Sequence, residues 1–270
     1  MLANRHYMLD AYGCVEEQSN SIMVVNELLV QLANDLNMKP VMPPFLVPFY
    51  YCADADDVGI SAFCICANGS HVTIHTFPKR ACYFVDILTD QFFTEADVTN
   101  AIKNQIYATN IITNVVDRRV FEGVDGKIDT NNDFGPHYMI TVKDVSVTFE
   151  EVFSWLDKIA PRINMQAICR PYVIFDKVDD PEFISGVLVV AQSHIAFHYS
   201  IKEKTANLDI FSCSFLENGA VENLLHDSFG DDTQINLFAR GSKHHIRCEN
   251  ASRQNHIKKS EAWRNNIFEK

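Results

Sequence analysis

Internal repetition constrains this chain more than any other feature. His6-Tyr7-Met8-Leu9 returns as His137-Tyr138-Met139-Ile140, 131 residues later. Gly69-Ser70-His71-Val72-Thr73-Ile74-His75 returns as Gln192-Ser193-His194-Ile195-Ala196-Phe197-His198, and Asp86-Ile87-Leu88-Thr89-Asp90 as Asp209-Ile210-Phe211-Ser212-Cys213, both at an offset of 123. A near-constant offset across three separated matches marks a tandem duplication, each half about 130 residues long. With 270 residues and 47% hydrophobic content, the chain can bury a core in each half.

The segments between the matches agree in type and order. In the first half a strand is expected over His6–Ala11. A helix comes next over Ser21–Leu36, where Val24, Val25, Leu28, Leu29, Leu32 and Leu36 recur at helical spacing before Pro40. Strands are expected at Ile60–Ala67, Val72–Phe77 and Ala81–Leu88. A second helix is expected over Thr94–Asn110, with Thr94 and Asp97 as its capping pair. In the second half a strand is expected over His137–Val142, then a helix over Phe149–Ile159 opened by a Thr148/Glu151 capping box. Strands at Pro171–Phe175, Ile184–Ala191, Ile195–Ser200 and Leu208–Ser212 precede a helix near Val221–His226.

This order implies an antiparallel sheet in each half with helices on one face. The bare face of each sheet needs cover, which the duplicate can supply. The predicted fold class is therefore α+β: two-layer halves packed sheet to sheet as an αββα sandwich. The expected boundaries are 1–120 for the first half, 121–136 for a Gly-, Asp- and Asn-rich linker, and 137–232 for the second half. Residues 233–270 form a basic tail, read as solvated and partly ordered.

A net charge of −12 argues against nucleic acid or an anionic membrane as the main partner, since both favour a basic surface. Charge interrupts every apolar run of helical length, and the opening MLANRHYMLD has no apolar segment of signal-peptide type. The expectation is a cytoplasmic protein with a small-molecule partner. The eight cysteines show irregular spacing with no CxxC pair, so neither a disulfide framework nor a metal site is expected. Cys64 and Cys66 alternate within an apolar run and read as buried, reduced strand residues.

Period-two alternation puts His71, Thr73 and His75 on one strand face, and His194, Ala196 and His198 on one face of its copy. Ser193 stands at the turn before its strand and Cys213 ends the next one, so a hairpin can bring them together. Ser, His and Cys so placed point to nucleophilic catalysis. The polar face of a half-buried strand has the same look, and these residues alone leave both readings open.

These same residues resemble the pyruvoyl-dependent S-adenosylmethionine decarboxylases. The family's signature runs Gly-Val/Ile-Ser-Gly, Glu-Ser-His, Ile-His-Thr-Trp-Pro-Glu, then an Asp four residues before a Cys. The first half reads Gly59-Ile60-Ser61-Ala62, Gly69-Ser70-His71, Ile74-His75-Thr76-Phe77-Pro78-Lys79 and Asp86 to Asp90. The second reads Ile184-Ser185-Gly186, Gln192-Ser193-His194, Phe197-His198-Tyr199-Ser200-Ile201-Lys202 and Asp209 to Cys213. Arg5 to Cys14 is similar to the family's first strand.

The resemblance implies self-cleavage before a serine that becomes a pyruvoyl cofactor, which forms a Schiff base with the substrate amine and draws off electrons as CO₂ leaves. It makes Gln192–Ser193 the cleavage point, Cys213 the acid that reprotonates the substrate carbon, and Ser61 and His75 the processing residues supplied by the other half. A second centre comprises Ser70, Asp90, Ser185 and His198. There Asp90 replaces the cysteine and the Ser61–Ser70 spacing is nine residues, against eight for Ser185–Ser193, so this centre reads as degenerate.

Two features differ from the family pattern. Gln192 replaces the glutamate before the cleavage serine. Lys79 and Lys202 stand where the family's acid holds the ribose hydroxyls, and an ammonium has no acceptor for them. Lys79 and Phe77 are taken as substrate-binding positions, with Phe49, Tyr50 and Tyr51 as candidates to stack on adenine. Three readings compete: an S-adenosylmethionine decarboxylase of polyamine (spermidine) biosynthesis, a pyruvoyl decarboxylase of another amino acid such as ornithine or arginine, or an uncleaved relative with a binding or regulatory role. Either a monomer of two fused halves or a homodimer is compatible with the duplication.

Overall fold

The computed structural model describes residues 2–48, 55–120, 128–176, 182–191, 193–213, 216–217 and 219–268. The first half comprises β1 (Arg5–Tyr12), α1 (Glu16–Ser19), α2 (Ile22–Asp35), β2 (Phe45–Pro48), β3 (Ile60–Cys66), β4 (Ser70–Phe77), β5 (Cys82–Thr89), α3 (Glu95–Gln105) and β6 (Asn110–Asp117). The second comprises β7 (Asp133–Val142), α4 (Phe149–Arg162), β8 (Tyr172–Asp176), β9 (Phe183–Val190), β10 (Ser193–Ser200), β11 (Thr205–Phe211), α5 (Ala220–Phe229) and β12 (Gln234–Ser242), and α6 (Lys243–Phe268) comes last.

Each half folds into a six-stranded antiparallel sheet. The strand orders are β2-β3-β4-β5-β1-β6 and β8-β9-β10-β11-β7-β12, so every strand has its counterpart at the same place. Alternation along the strands sorts the two faces of each sheet. On the outer face of the first sheet, Leu9, Ala62, Ile74 and Val85 pack against Val25, Leu28 and Leu32 of α2. On the outer face of the second, Ile140, Leu188, Phe197 and Ile210 meet Val152, Leu156 and Ile159 of α4 and Val221 and Leu225 of α5. Caps start the helices where the sequence places them: Ser21 accepts from the Val24 N–H, Thr94 from that of Asp97, and Thr148 and Glu151 form a full capping box.

The inner faces meet as the αββα sandwich. Apolar clusters fill the margins of this interface: Phe63 and Ile65 against Val187 and Val189, Met8 against Met139, and an aromatic group around Phe77, Phe84, Phe134 and Phe211. The middle is polar and holds the candidate site.

Three strands lie outside the sequence expectation. The helix expected to reach Asn110 stops at Gln105, and Asn110 instead opens β6, which pairs with β1 along its whole length. β2 is a short edge strand beside β3. Residues 234–242, expected to belong to a solvated tail, form β12, which pairs with β7 through the register Phe238↔His137. Without it β7 would present a free edge, and this strand satisfies its backbone groups. β7 itself begins at Asp133, inside the expected linker, with Phe134 buried in the aromatic cluster.

Candidate active site

Two serine–histidine–histidine chains cross the interface, one in each sense. Ser61 Oγ lies 2.9 Å from His75 Nδ1, and His75 Nε2 lies 2.8 Å from His194 Nδ1 in the opposite sheet. Its counterpart runs from Ser185 Oγ, 2.9 Å from His198 Nδ1, through His198 Nε2, 2.7 Å from His71 Nδ1. The paired rings are nearly parallel, at 11° and 17°. Each strand contributes because His71, His75, His194 and His198 fall at even spacing on inward faces.

A neutral imidazole carries one N–H, so each chain can run its hydrogen bonds in either direction and pass a proton between sheets. Burial holds all four rings in the neutral form. It lowers His194 to about 4 and His198 to about 3, and takes His71 and His75 well below the ordinary histidine value, helped by the neighbouring rings.

At the centre lie His6, His137, Asp86 and Asp209, all buried. Each carboxylate is held by an arginine from the opposite sheet. Arg118, just beyond β6, gives Nη1 to both oxygens of Asp209 at 2.9 Å and Nη2 to the carbonyls of Ile140 and Leu208. Arg240 of β12 gives Nη1 to Asp86 at 2.5 Å and Nε to Asp10 at 2.8 Å. Burial opposes the charge on both aspartates, but the arginines beside them hold both carboxyls well below the usual range. Donor atoms of His6, Asp86 and His137 lie within 4.8 Å of one another, close enough to share a metal ion. Arg240 already supplies positive charge there, with Nη1 3.0 Å from His137 Nδ1.

Ser193 and Cys213 meet as the hairpin predicts. The Cys213 N–H donates to Ser193 Oγ at 3.0 Å, and the thiol lies 3.3 Å from the same oxygen. Burial pushes the thiol up to about 12, partly offset by the bond to Ser193, so it stays protonated at neutral pH and can serve as an acid. Cys213 packs on the aromatic cluster and lines a cavity of about 290 Å³ with Asp57, Arg80, Phe134, Lys243 and Arg247.

The other residues singled out in the sequence are distributed unevenly around this centre. The Ser61–His75 pair comes from the half opposite Ser193 and reaches its chain neighbour His194. Phe77 is buried in the aromatic cluster, edge-on to Phe134 at 5.3 Å. Lys79 does not join the site: its side chain is exposed on the Pro78–Arg80 turn, while its neighbour Arg80 lines the cavity and pairs with Asp57. Lys202 is likewise exposed. At the second centre Ser70 Oγ is buried with no hydrogen-bond partner, and Asp90 accepts from Asn68 and Gln91. The carboxylate therefore does not mimic the Ser193–Cys213 contact. Gln192, Phe49, Tyr50 and Tyr51 lie outside the described residues.

Sequence reasoning missed Arg118, Arg240, Lys243 and Arg247. A signal for the first two exists, because Arg118 and Arg240 stand 122 residues apart, continuing the repeat offset into β6 and β12. Lys243 and Arg247, like Arg240, stand in the segment read as tail.

The sequence profile described as S-adenosylmethionine decarboxylase matches residues 5–119 and 143–241 of this chain. The S-adenosylmethionine decarboxylase proenzyme of Bacillus velezensis is 26% identical over 57 residues, 21% of this chain and 45% of that protein's length. Among solved structures, the adenosylmethionine decarboxylase of Aquifex aeolicus is similar over 47% of this chain and 98% of its own, with 20% identity and a TM-score of 0.37. A protein of unknown function from Galdieria sulphuraria matches over 88% of this chain and 99% of its own, at 6% identity and a TM-score of 0.22. In this chain no described helix is long and apolar enough to cross a membrane.

Proposed function

Because this chain belongs to the S-adenosylmethionine decarboxylase family, we propose that it is a self-processing, pyruvoyl-dependent decarboxylase with one working centre, built on Ser193. The observation that carries this reading is the contact of Ser193 Oγ with the Cys213 thiol, 3.3 Å away.

In the processing step Ser193 Oγ attacks the carbonyl carbon of Gln192, and the peptide C–N bond gives way to an ester. Loss of the Ser193 α-proton then expels the Gln192 carboxylate and leaves a dehydroalanine. Hydrolysis of its imine tautomer by one water releases ammonia and leaves the pyruvoyl group at the new N-terminus. The residues at hand fit that group: Ser193 sits at the start of β10, and the protonated thiol next to its oxygen lines a cavity. When formed, a pyruvoyl carbonyl condenses with a substrate amine and takes up the electron pair left by departing CO₂.

The chain's own residues do the rest. Cys213 holds a proton at Sγ for return to the substrate carbon. The His75–His194 chain, closed by Ser61, offers a neutral relay that stores no charge beside the reacting atoms. Arg118 and Arg240 hold the two halves in register around it.

Intact-mass measurement tests the reading directly. Wild-type protein is expected as two fragments cut before Ser193, and Ser193→Ala as one chain of 30.7 kDa. Cys213→Ala should cut but lose about 10²–10⁴-fold in turnover, the usual worth of a positioned acid. An uncut wild-type chain would favour instead a binding or regulatory relative. Release of labelled CO₂ from S-adenosylmethionine, measured against ornithine and arginine, separates polyamine synthesis from another decarboxylation.

A further inference from the structure

The cavity beside Cys213 carries a charge pattern that bears on what can enter it; only the reaction of an entering molecule, not its binding, rests on the decarboxylase reading. Three cations line it, Arg80, Lys243 and Arg247, against one carboxylate, Asp57, so the described lining carries an excess of positive charge. Arg80 pairs with Asp57, Lys243 Nζ donates to the Thr130 carbonyl at 2.8 Å, and Arg247 Nη1 reaches the Asn131 carbonyl at 3.5 Å. Asp129, which feels the Lys243 charge, lies outside the lining. Two of the three cations come from the first turns of α6, so this helix forms one wall of the cavity.

S-adenosylmethionine is a net cation at neutral pH, with a sulfonium and an ammonium against one carboxylate, and ornithine and arginine are net cations too. All three meet like charge in this lining. The α-carboxylate that leaves as CO₂ cannot make good use of the surplus cationic groups, because holding it tightly stabilises the ground state that must lose it. A second anion on the substrate can use them throughout the reaction.

We propose that this cavity admits an α-amino acid whose side chain carries a second anion, of the aspartate or glutamate kind, in preference to a sulfonium nucleoside or a basic amino acid.

The experiment uses the full chain as purified, weighed intact and then titrated by calorimetry with aspartate, glutamate, S-adenosylmethionine and ornithine. The expected result is tighter binding of an acidic amino acid than of either cation, by about tenfold or more, with the gap narrowing as salt is raised. Arg247→Glu, on an exposed position of the wall, should lose most of that preference. Equal or tighter binding of S-adenosylmethionine or ornithine, or no binding of either acidic amino acid, overturns the proposal whether or not the chain is cut. So does an unchanged preference in Arg247→Glu. An uncut chain that still prefers the acidic ligands overturns the decarboxylase reading alone and leaves the charge selection standing. A cut chain that prefers the cations does the reverse.

Discussion

Arg240 lies fully buried between Asp10, Asp86 and His137, and it joins β12 of the second sheet to β1 and β5 of the first. A buried arginine loses its hydration, and what makes that tolerable is that its donors reach two carboxylates and a carbonyl. Removing it takes from both aspartates their one arginine partner among the described residues, leaving Asp10 the Gly241 N–H and Asp86 the neighbouring imidazoles. Arg240→Leu is therefore expected to lower unfolding free energy by about 3–5 kcal/mol, read from urea midpoints, and Asp86→Asn with it should recover part of the loss. Ser70 gives the opposite case. Its hydroxyl is buried without a partner, so Ser70→Ala removes an unmet polar group and should be neutral or slightly stabilising, with cleavage before Ser193 intact. Loss of cleavage in Ser70→Ala would show that the working serine had been assigned to the wrong half.

The elements show where reading from sequence holds and where it stops. α2 and α4 were legible because an apolar stripe and a Ser or Thr cap both announce them. β3, β4, β9 and β10 were legible because the repeat doubles their signal. β6 and β12 carry apolar residues as well, but their places are fixed by pairing with β1 and β7, more than 90 residues away in each case. For the same reason nothing local marks Arg118 or Arg240 in the sequence: each one's carboxylate arrives from the other sheet. The Ser193–Cys213 contact was legible because a single hairpin makes it, whereas the two His–His links needed the packing of the halves. Close approach of elements adds a further test. A Cβ on Gly135 of β7 would stand 1.8 Å from the Ser212 carbonyl oxygen and 3.0 Å from Cys213 Cα, so Gly135→Ala must push the end of β11 away. With Ser193 unchanged, the variant is expected to cut yet turn over at least tenfold more slowly, since a shift near 1 Å at a reacting group costs on the order of 10²-fold. Wild-type turnover in Gly135→Ala would separate the thiol's position from its role.

Over the whole molecule the duplication gives two copies of one polar layer, and burying that layer makes stability depend on pH in a definite window. His71, His75, His194 and His198 are all neutral in the fold because burial depresses them, two of them to about 4 and about 3. In the unfolded chain each titrates near 6.5. Between those values the unfolded chain binds protons that the folded one refuses, so stability rises with pH through this window and falls on acidification below about 6.5. At pH 5 each of His194 and His198 is expected to cost about 2 kcal/mol relative to pH 7.5, before His71 and His75 add their share. Asp86 and Asp209 act lower down. Their folded values are depressed, so their contribution is present above the ordinary carboxylate value near 3.8 and fades only below it. Urea midpoints at pH 7.5, 6.5, 5.5 and 5.0 should thus drop steeply while the carboxylates remain charged. His198→Gln, which keeps a polar group against Ser185 but cannot titrate, should flatten the slope by about one proton. A wild-type midpoint unchanged from pH 7.5 to 5.0 would mean that the imidazoles stay as basic in the fold as in the open chain, and the neutral relay across the sandwich would lose its physical basis.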